Sequence, residues 1–357
     1  MKRKILSVIV SLILIIGAVY PALTVASAAW SGSMTTPPIS GGFYQISTAE
    51  QLAWFANAVN NGTTTIKAVL TADIELNSPG STENEWTPIG TTEHPFEGTF
   101  DGAGHTISGV YVNTTASNVG LFGKISNAAD EGKTESVAPE FIVSKKTILI
   151  RNLRVTDSDI TGHQNVGGIV GNSDGAGIKD CYFEGNVKGT YNSVGAIVGL
   201  ANAETVVNQC QTTGTVTGEQ RTGGVVGYAN GNSVVSKCYS NASVAGTRNV
   251  GGIVGTLSGG SLVGCFFRGN VTADNRVGGI IGYSTMSVVR GAYAIGGVNS
   301  AGADKGGAVG IIFGGEFASI FYCFEMSQCD GPVGIGRTMD ELYTADFVKE
   351  LNKAMPY

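Results

Sequence analysis

The string "NVGGIVG" occurs at residues 165–171 and again at 249–255, and close variants of it fill the chain between and around them. Aligned on the last glycine, the strings end at Gly123, Gly171, Gly199, Gly227, Gly255, Gly282 and Gly310, with gaps of 48, 28, 28, 28, 27 and 28 residues. A fixed period in this range specifies a solenoid or another repeat array. The single long gap contains "NAADEGKTESVAPEFIVSKK", a charged stretch with one proline. It reads as a surface loop, about 127–146, inserted into an otherwise regular coil.

The composition inside the repeat selects the kind of solenoid. A helical repeat needs apolar residues at 3.6-residue spacing over ten or more positions. These repeats instead offer short runs of Val and Ile broken by Gly, Asn, Ser and Thr, which is strand–turn–strand writing. Propeller blades take about 40 residues or more, and the leucine-rich spacing is absent. About 28 residues suit one coil of short strands, each pairing in parallel with its copy in the next coil. The expected fold is all-β, a right-handed parallel β-helix by the crossover rule. At about 4.8 Å per coil it makes a rod roughly 35–45 Å long. Glycine makes up 53 of 357 residues and charged residues 14%. Against usual shares of about 7% and about 25%, that balance favours buried backbone over surface ion pairs.

In such a stack each side chain sits over its own copy, so a residue that packs well against itself is reused. Cys181, Cys210, Cys238 and Cys265 recur at gaps of 29, 28 and 27, with Ala292 and then Cys323 assigned to the following slots. Stacked Cβ atoms stand about 4.8 Å apart, whereas a disulfide wants about 3.8 Å. A reduced, buried ladder is therefore expected, with pairing of Cys323 and Cys329 left open. Three residues before each slot stand Ile178, Val207, Val235, Leu262, Val289 and Ile320. An odd spacing puts the two rows on opposite faces of a straight strand. Burial of both requires a bend between them, which the buried habit of free cysteine favours.

Both ends carry amphipathic helices that would cover open strand edges, which otherwise invite aggregation. At the front, Ser47 and Glu50 read as a capping box, Leu52, Phe55, Ala56 and Val59 as one helical face, and Gly62 as the stop. At the back, Thr338 and Glu341 precede a stripe of Phe347, Leu351 and Ala354. Ahead of all this, Lys2, Arg3 and Lys4 precede an uncharged run from Ile5 to Tyr20 and the small-residue site Ala26-Ser27-Ala28. That is the pattern of a secretory signal peptide; an uncleaved anchor is the alternative, although the run is short for a span. The organisation expected is a signal at 1–28, a linker at 29–41, a cap helix and first coils at 42–117, repeats at 118–333 and a C-terminal cap helix at 334–357.

The stretch "FEGTFDGAGHTISGVYV…NVGLFG", followed by iterated "VGGIVG" strings each with its cysteine, resembles the GLUG-motif repeat family over roughly residues 42–335. The resemblance implies an extracellular β-helix of the kind found in bacterial surface and secreted proteins, including adhesin-like proteins and non-catalytic parts of IgA-specific peptidases. It implies no chemistry, since the motif is a stacking signature. Relatives often carry an anchor or catalytic domain after the repeats. None follows here before "NKAMPY", which suggests a fragment of a larger surface protein or a freely secreted form.

The search for chemistry is short. His94, His105 and His163 form no H-E-x-x-H motif, and His105 near Asp101 reads as part of a tight Asp-Gly turn. A polysaccharide lyase or hydrolase on a β-helix is the rival reading, and a glycosidase needs two carboxyls about 5–10 Å apart. The best carboxylate cluster is Asp157 and Asp159 with Glu184 one coil on. Asn172, Asp174 and Asp180 lack the nonapeptide rhythm of a calcium-binding β-helix. No catalytic residue, cofactor or metal is expected. Net charge moves from −6 to −9 once the three basic residues of the leader are gone, which disfavours nucleic acid and anionic membrane as partners. The surface worth watching is aromatic: Tyr182, Gln211, Tyr239, Phe266, Tyr293 and Phe324 follow the cysteine slot. If the cysteines point inward, these point outward, a candidate surface for a host or cell-surface glycan or protein. A second candidate is the row Ile169, Ile197, Val225, Ile253 and Ile280, either covered or a contact face. The expected product is a secreted, possibly surface-associated module that binds or spaces rather than catalyses.

Overall fold

The structure, a computed structural model, describes residues 30, 32–127, 148–302, 304–327 and 333–353. The leader, most of the charged insertion, Cys329 and Ala354 lie outside the described residues. The chain winds into a parallel β-helix of about nine coils. One coil serves for all: Val166–Gly167, Val170–Asp174, Gly177–Lys179 and Tyr182–Gly189 form its four faces. Each pairs in parallel with its copy one coil on, as in Val166↔Val194, Val170↔Val198, Ile178↔Val207 and Phe183↔Thr212. Among the described residues the one antiparallel ladder is Ile39–Ser40 with Phe43–Ile46, ahead of the first coil.

The odd three-residue spacing is resolved by a bend. The residue before each cysteine slot is left-handed: Asn152, Asp180, Gln209, Lys237, Gly264, Gly291 and Ser319 have φ of 52°, 52°, 56°, 53°, 66°, 61° and 50°. A left-handed residue turns the chain through a corner, so the side chains on both sides of it point into the core. Non-glycine residues accept the strain of roughly 1–3 kcal/mol because the stack over-determines them. Ile178, Cys181, Val207, Cys210, Val235 and Cys238 are all buried. The cysteine carbonyls carry the column upward: Gln211 N–H donates to Cys181 O, Tyr239 N–H to Cys210 O and Phe266 N–H to Cys238 O, at 2.9, 2.9 and 3.0 Å.

The last coil corrects two sequence assignments. Ala292 pairs with Ile320 and Tyr293 with Phe321. The cysteine slot there is thus Ile320, not Cys323, and the row three before it ends at Phe317, opposite Val289. The 28-residue step that relates Gly282 to Gly310 runs on unchanged through the strand Val309–Cys323, so the next cysteine in the sequence falls three positions past its slot.

The paired glycines have a packing cause. A Cβ on Gly251 would lie 2.1 Å from Val254 O and 2.7 Å from Gly282 N; one on Gly252 would lie 2.2 Å from Gly279 O and 2.3 Å from the Phe267 ring. This tight bend also turns Ile169, Ile197, Val225, Ile253 and Ile280 inward, where all are fully buried. That row is core and not a contact face.

The front helix α1 (Ala49–Asn60) buries Leu52, Phe55, Ala56 and Val59 against the first coils. Its cap is Thr48, whose side chain accepts the Gln51 N–H, and Ser47 instead donates its N–H to Gln51 Oε1. The box is shifted by one residue from the Ser47–Glu50 reading because Gln51, not Glu50, reaches back. At the other end stand α2 (Phe324–Ser327), α3 (Met339–Leu342) and α4 (Ala345–Asn352). Thr338 and Glu341 form their capping box, but the expected single helix is two, because Thr344 caps α4 by accepting the Phe347 N–H.

Candidate functional site

The corner that turns the cysteines inward turns the next residue outward. Arg154, Tyr182, Gln211, Tyr239, Phe266, Tyr293 and Phe321 stand in one column, one per coil. Their sequence neighbours Phe183, Thr212, Ser240, Phe267 and Ala294 are buried, while Tyr182, Tyr239, Phe266 and Tyr293 are half-buried and Gln211 is exposed. Tyr239 stacks on Phe266 at 5.2 Å and Phe266 on Tyr293 at 4.2 Å, with ring planes within 24° and 19°. The assignment of Phe324 to this column is corrected: Phe321 takes the place, for the register reason given above, and Phe324 begins α2. Phe321 is fully buried. Phe347 of α4 meets it edge-on at 5.1 Å and meets Tyr293 likewise at 5.4 Å. The C-terminal helix thereby closes one end of the column.

The open end is polar. The Arg154 guanidinium lies 4.2 Å from the centre of the Tyr182 ring, and the Tyr182 hydroxyl donates to Glu184 Oε2 at 2.7 Å. Burial and that carboxylate push Tyr182 up to about 12, against the opposing pull of Arg154. Burial also raises Tyr239, with Arg268 beside it working the other way. Sequence reasoning missed Arg154 and Arg268. Arg154 lies inside the long gap between Gly123 and Gly171, just after the charged insertion, where the repeat is hardest to align.

Beneath the aromatics, the four stacked cysteines are free thiols. Cys238 donates to Val207 O at 3.6 Å and Ser236 O at 3.2 Å, and Cys210 and Cys265 likewise rest on carbonyls of their own and the previous coil. Burial drives the Cys210 and Cys265 thiols well above their ordinary range, which suppresses the reactive thiolate.

The carboxylates do not gather. Asp157, at φ 50°, rides a bulge where the register slips, and Asp157 and Asp159 are both exposed. Glu184 is engaged by Tyr182. Asp174 lies beside Asn202, and Asp180 occupies a corner beside Lys179. Asp101 accepts from Ala103 N–H, Asn152 Nδ2 and Arg151 Nε, tying an Asp-Gly turn to the next coil, while His105 faces Asp73 at 3.2 Å. Among the described residues no group of three or more His, Cys, Asp or Glu is placed to hold a metal. Nor is any described helix long and apolar enough to cross a membrane. A cleft of about 460 Å³ opens between the front coils, lined by Thr91, Thr92, Thr114, Ser117, Asn118 and the edge of Trp86 among others.

Residues 162–188, one full turn of this architecture, match the family profile described as the GLUG motif. The chain carries a GLUG motif. Within it, Gly167, Gly168 and Gly171 are close-approach positions, where an added Cβ would fall within 2.4 Å of a backbone atom. Halomucin of Haloquadratum walsbyi is 30% identical over 150 residues, 39% of this chain. The match spans 1% of halomucin's own length. A Bacteroides ovatus protein described as a candidate immunoglobulin A1 protease shares the fold, with a TM-score of 0.58 and 21% identity. That match covers 77% of this chain and 84% of the other.

Proposed function

We propose that this chain is a non-enzymatic, extracellular β-helix rod that presents a lateral binding strip, an adhesin-like role. The observation that carries the reading is the outward column Tyr182, Gln211, Tyr239, Phe266 and Tyr293, held at one residue per coil by the register. Half-exposed aromatic rings on a flat sheet suit sugar rings or apolar protein side chains. The polar surroundings, Glu184, Thr213, Asn241 and Arg268, supply both donors and acceptors. The leader-like sequence at 1–28 and the sparing use of charge support an extracellular setting. The mucin named among its relatives is compatible with work at a surface. The exposed, unconverged Asp157 and Asp159 and the engaged Glu184 give no support to glycoside hydrolysis.

The experiment is a glycan array together with a cell-adherence assay on the chain and on the double variant Tyr239→Ala/Phe266→Ala. Loss of at least tenfold in binding, with the melting curve of the rod preserved, is expected. Unchanged binding removes the strip as the site. In that case the second reading takes over, a structural spacer, which the unbroken hydrogen-bonded stack favours by itself.

A further inference from the structure

The aromatic column is interrupted once, at Gln211, and the rings on either side of the interruption turn open faces toward each other. Tyr182 has the Arg154 guanidinium over the face that looks to the preceding coil, 4.2 Å from the ring centre. Its other face therefore looks toward the coil of Gln211. Tyr239 is stacked on Phe266 of the following coil, so its free face looks back toward the same coil. Two coil steps of about 4.8 Å separate the two rings by roughly 9.6 Å. Between them stands the exposed side chain of Gln211.

We propose that the interval at Gln211 is a sugar slot, in which one neutral pyranose ring of an oligosaccharide is held between Tyr182 and Tyr239. The inference rests on the binding reading above and names its ligand class and its place. The interval has room for one ring. A ring centred in the slot lies about 4.8 Å from each tyrosine, within the 4.5–7 Å range at which rings pack. A flat ring also fits such an interval, as Phe266 does between Tyr239 and Tyr293 at 5.2 and 4.2 Å. The polar margin selects a sugar, whose ring carries the hydroxyls that a planar hydrocarbon ring lacks. The walls are held in advance: Glu184 accepts the Tyr182 hydroxyl at 2.7 Å, and Arg268 engages the Tyr239 hydroxyl. Preorganised rings lose little entropy on binding. The Gln211 amide offers two donors and an acceptor to the sugar's equatorial hydroxyls. Thr213, two residues along the same strand, adds a hydroxyl at the slot's margin. Coils further along, where Phe266 and Tyr293 are already in contact, have no such interval.

The test uses the whole chain and four soluble probes, the hexaoses of glucose, N-acetylglucosamine, mannose and xylose, by saturation-transfer NMR and titration calorimetry. Gln211→Tyr adds a ring to the column and fills the slot; it is expected to lower affinity for the bound hexaose at least tenfold while leaving the melting curve intact. Gln211→Ala, which leaves the interval open but removes the amide, is expected to lower affinity by a smaller factor, about threefold. Unaltered binding by Gln211→Tyr overturns the slot. If Tyr293→Ala alone abolishes binding, the ligand lies on the Tyr239–Tyr293 flank: the slot falls and the wider binding reading stands. A parent chain that binds none of the four hexaoses also overturns the slot, and the adherence assay then decides the binding reading separately.

Discussion

The front of the molecule and its middle fill the same kind of core by different means. In the middle the core is small and repetitive: Val170, Val198, Val226 and Val254 in one column, Cys181, Cys210, Cys238 and Cys265 in another. At the front it is large and irregular. Phe55 of α1 meets Phe96 and Phe100 at 5.8 Å each, and Phe122 packs on both of these at 5.5 and 5.3 Å. The difference follows from the strands. Where four faces repeat, backbone columns set the cross-section and small side chains fill it. At the front, Ile89 and Phe96 join the sheet only through isolated bridges, so phenylalanines occupy the volume the missing strands leave.

Three measurements would break or sharpen this contrast. The largest effect is expected for Phe100→Ala, which removes a fully buried ring in contact with two others. Destabilisation of about 3–5 kcal/mol is expected, with amide protection lost first in the front coils. Equal loss along the whole rod would mean that front and middle are one cooperative unit. Next comes Gly252→Ala, where a methyl group meets Gly279 O and the Phe267 ring. A cost of about 1–3 kcal/mol is expected, smaller but not zero when the same change is made in a Phe267→Ala background, since the carbonyl contact stays. Chemical denaturation of the parent, the two single variants and the double variant measures it. The chain has made a comparable exchange itself: Ala196 holds the equivalent glycine position, and Thr212 replaces the phenylalanine there.

The smallest effect is a pH dependence of the front. Burial raises the Asp101 carboxyl, but the hydrogen bonds from Ala103 N–H and Asn152 and the ion pair with Arg151 outweigh it, leaving it below the usual carboxylate range. A pKa depressed in the folded state contributes stability above the unfolded value of about 3.9, which is lost as pH falls through the folded value. Thermal melts between pH 5 and 2 should show the chain losing up to about 1 kcal/mol that Asp101→Asn does not lose. Parallel curves for the two proteins would assign acid sensitivity to other groups.

Much of the fold was legible because stacking writes itself into the sequence as a period: the coil length, the parallel sheet and the cysteine column all follow from it. The corners were not legible as such. Asp180, Gln209 and Lys237 adopt left-handed backbone without a shared chemical type, so only the odd spacing from Ile178 to Cys181 hinted at them. The error at Phe324 came from following one residue type. Cys323 looked like the next rung, while the true step was carried by Gly282 and Gly310. The isoleucine row was placed by strand alternation, which fails where two glycines bend the chain. Of the candidate site, the aromatic residues were visible in the repeat. What makes their break at Gln211 matter, which ring faces are occupied and which are open, depends on Arg154 and on ring orientation and is not written in the spacing.

The stacked backbone bonds have a mechanical consequence. They lie along the length of the rod, so tension between its ends strains a full ring of bonds at every junction simultaneously, and no single bond bears the load. A force that catches one terminal strand from the side meets only the next few bonds and can unwind the rod turn by turn. At one end of the aromatic column it is α4, clamped to Tyr293 and Phe321 by Phe347, that stands against such unravelling.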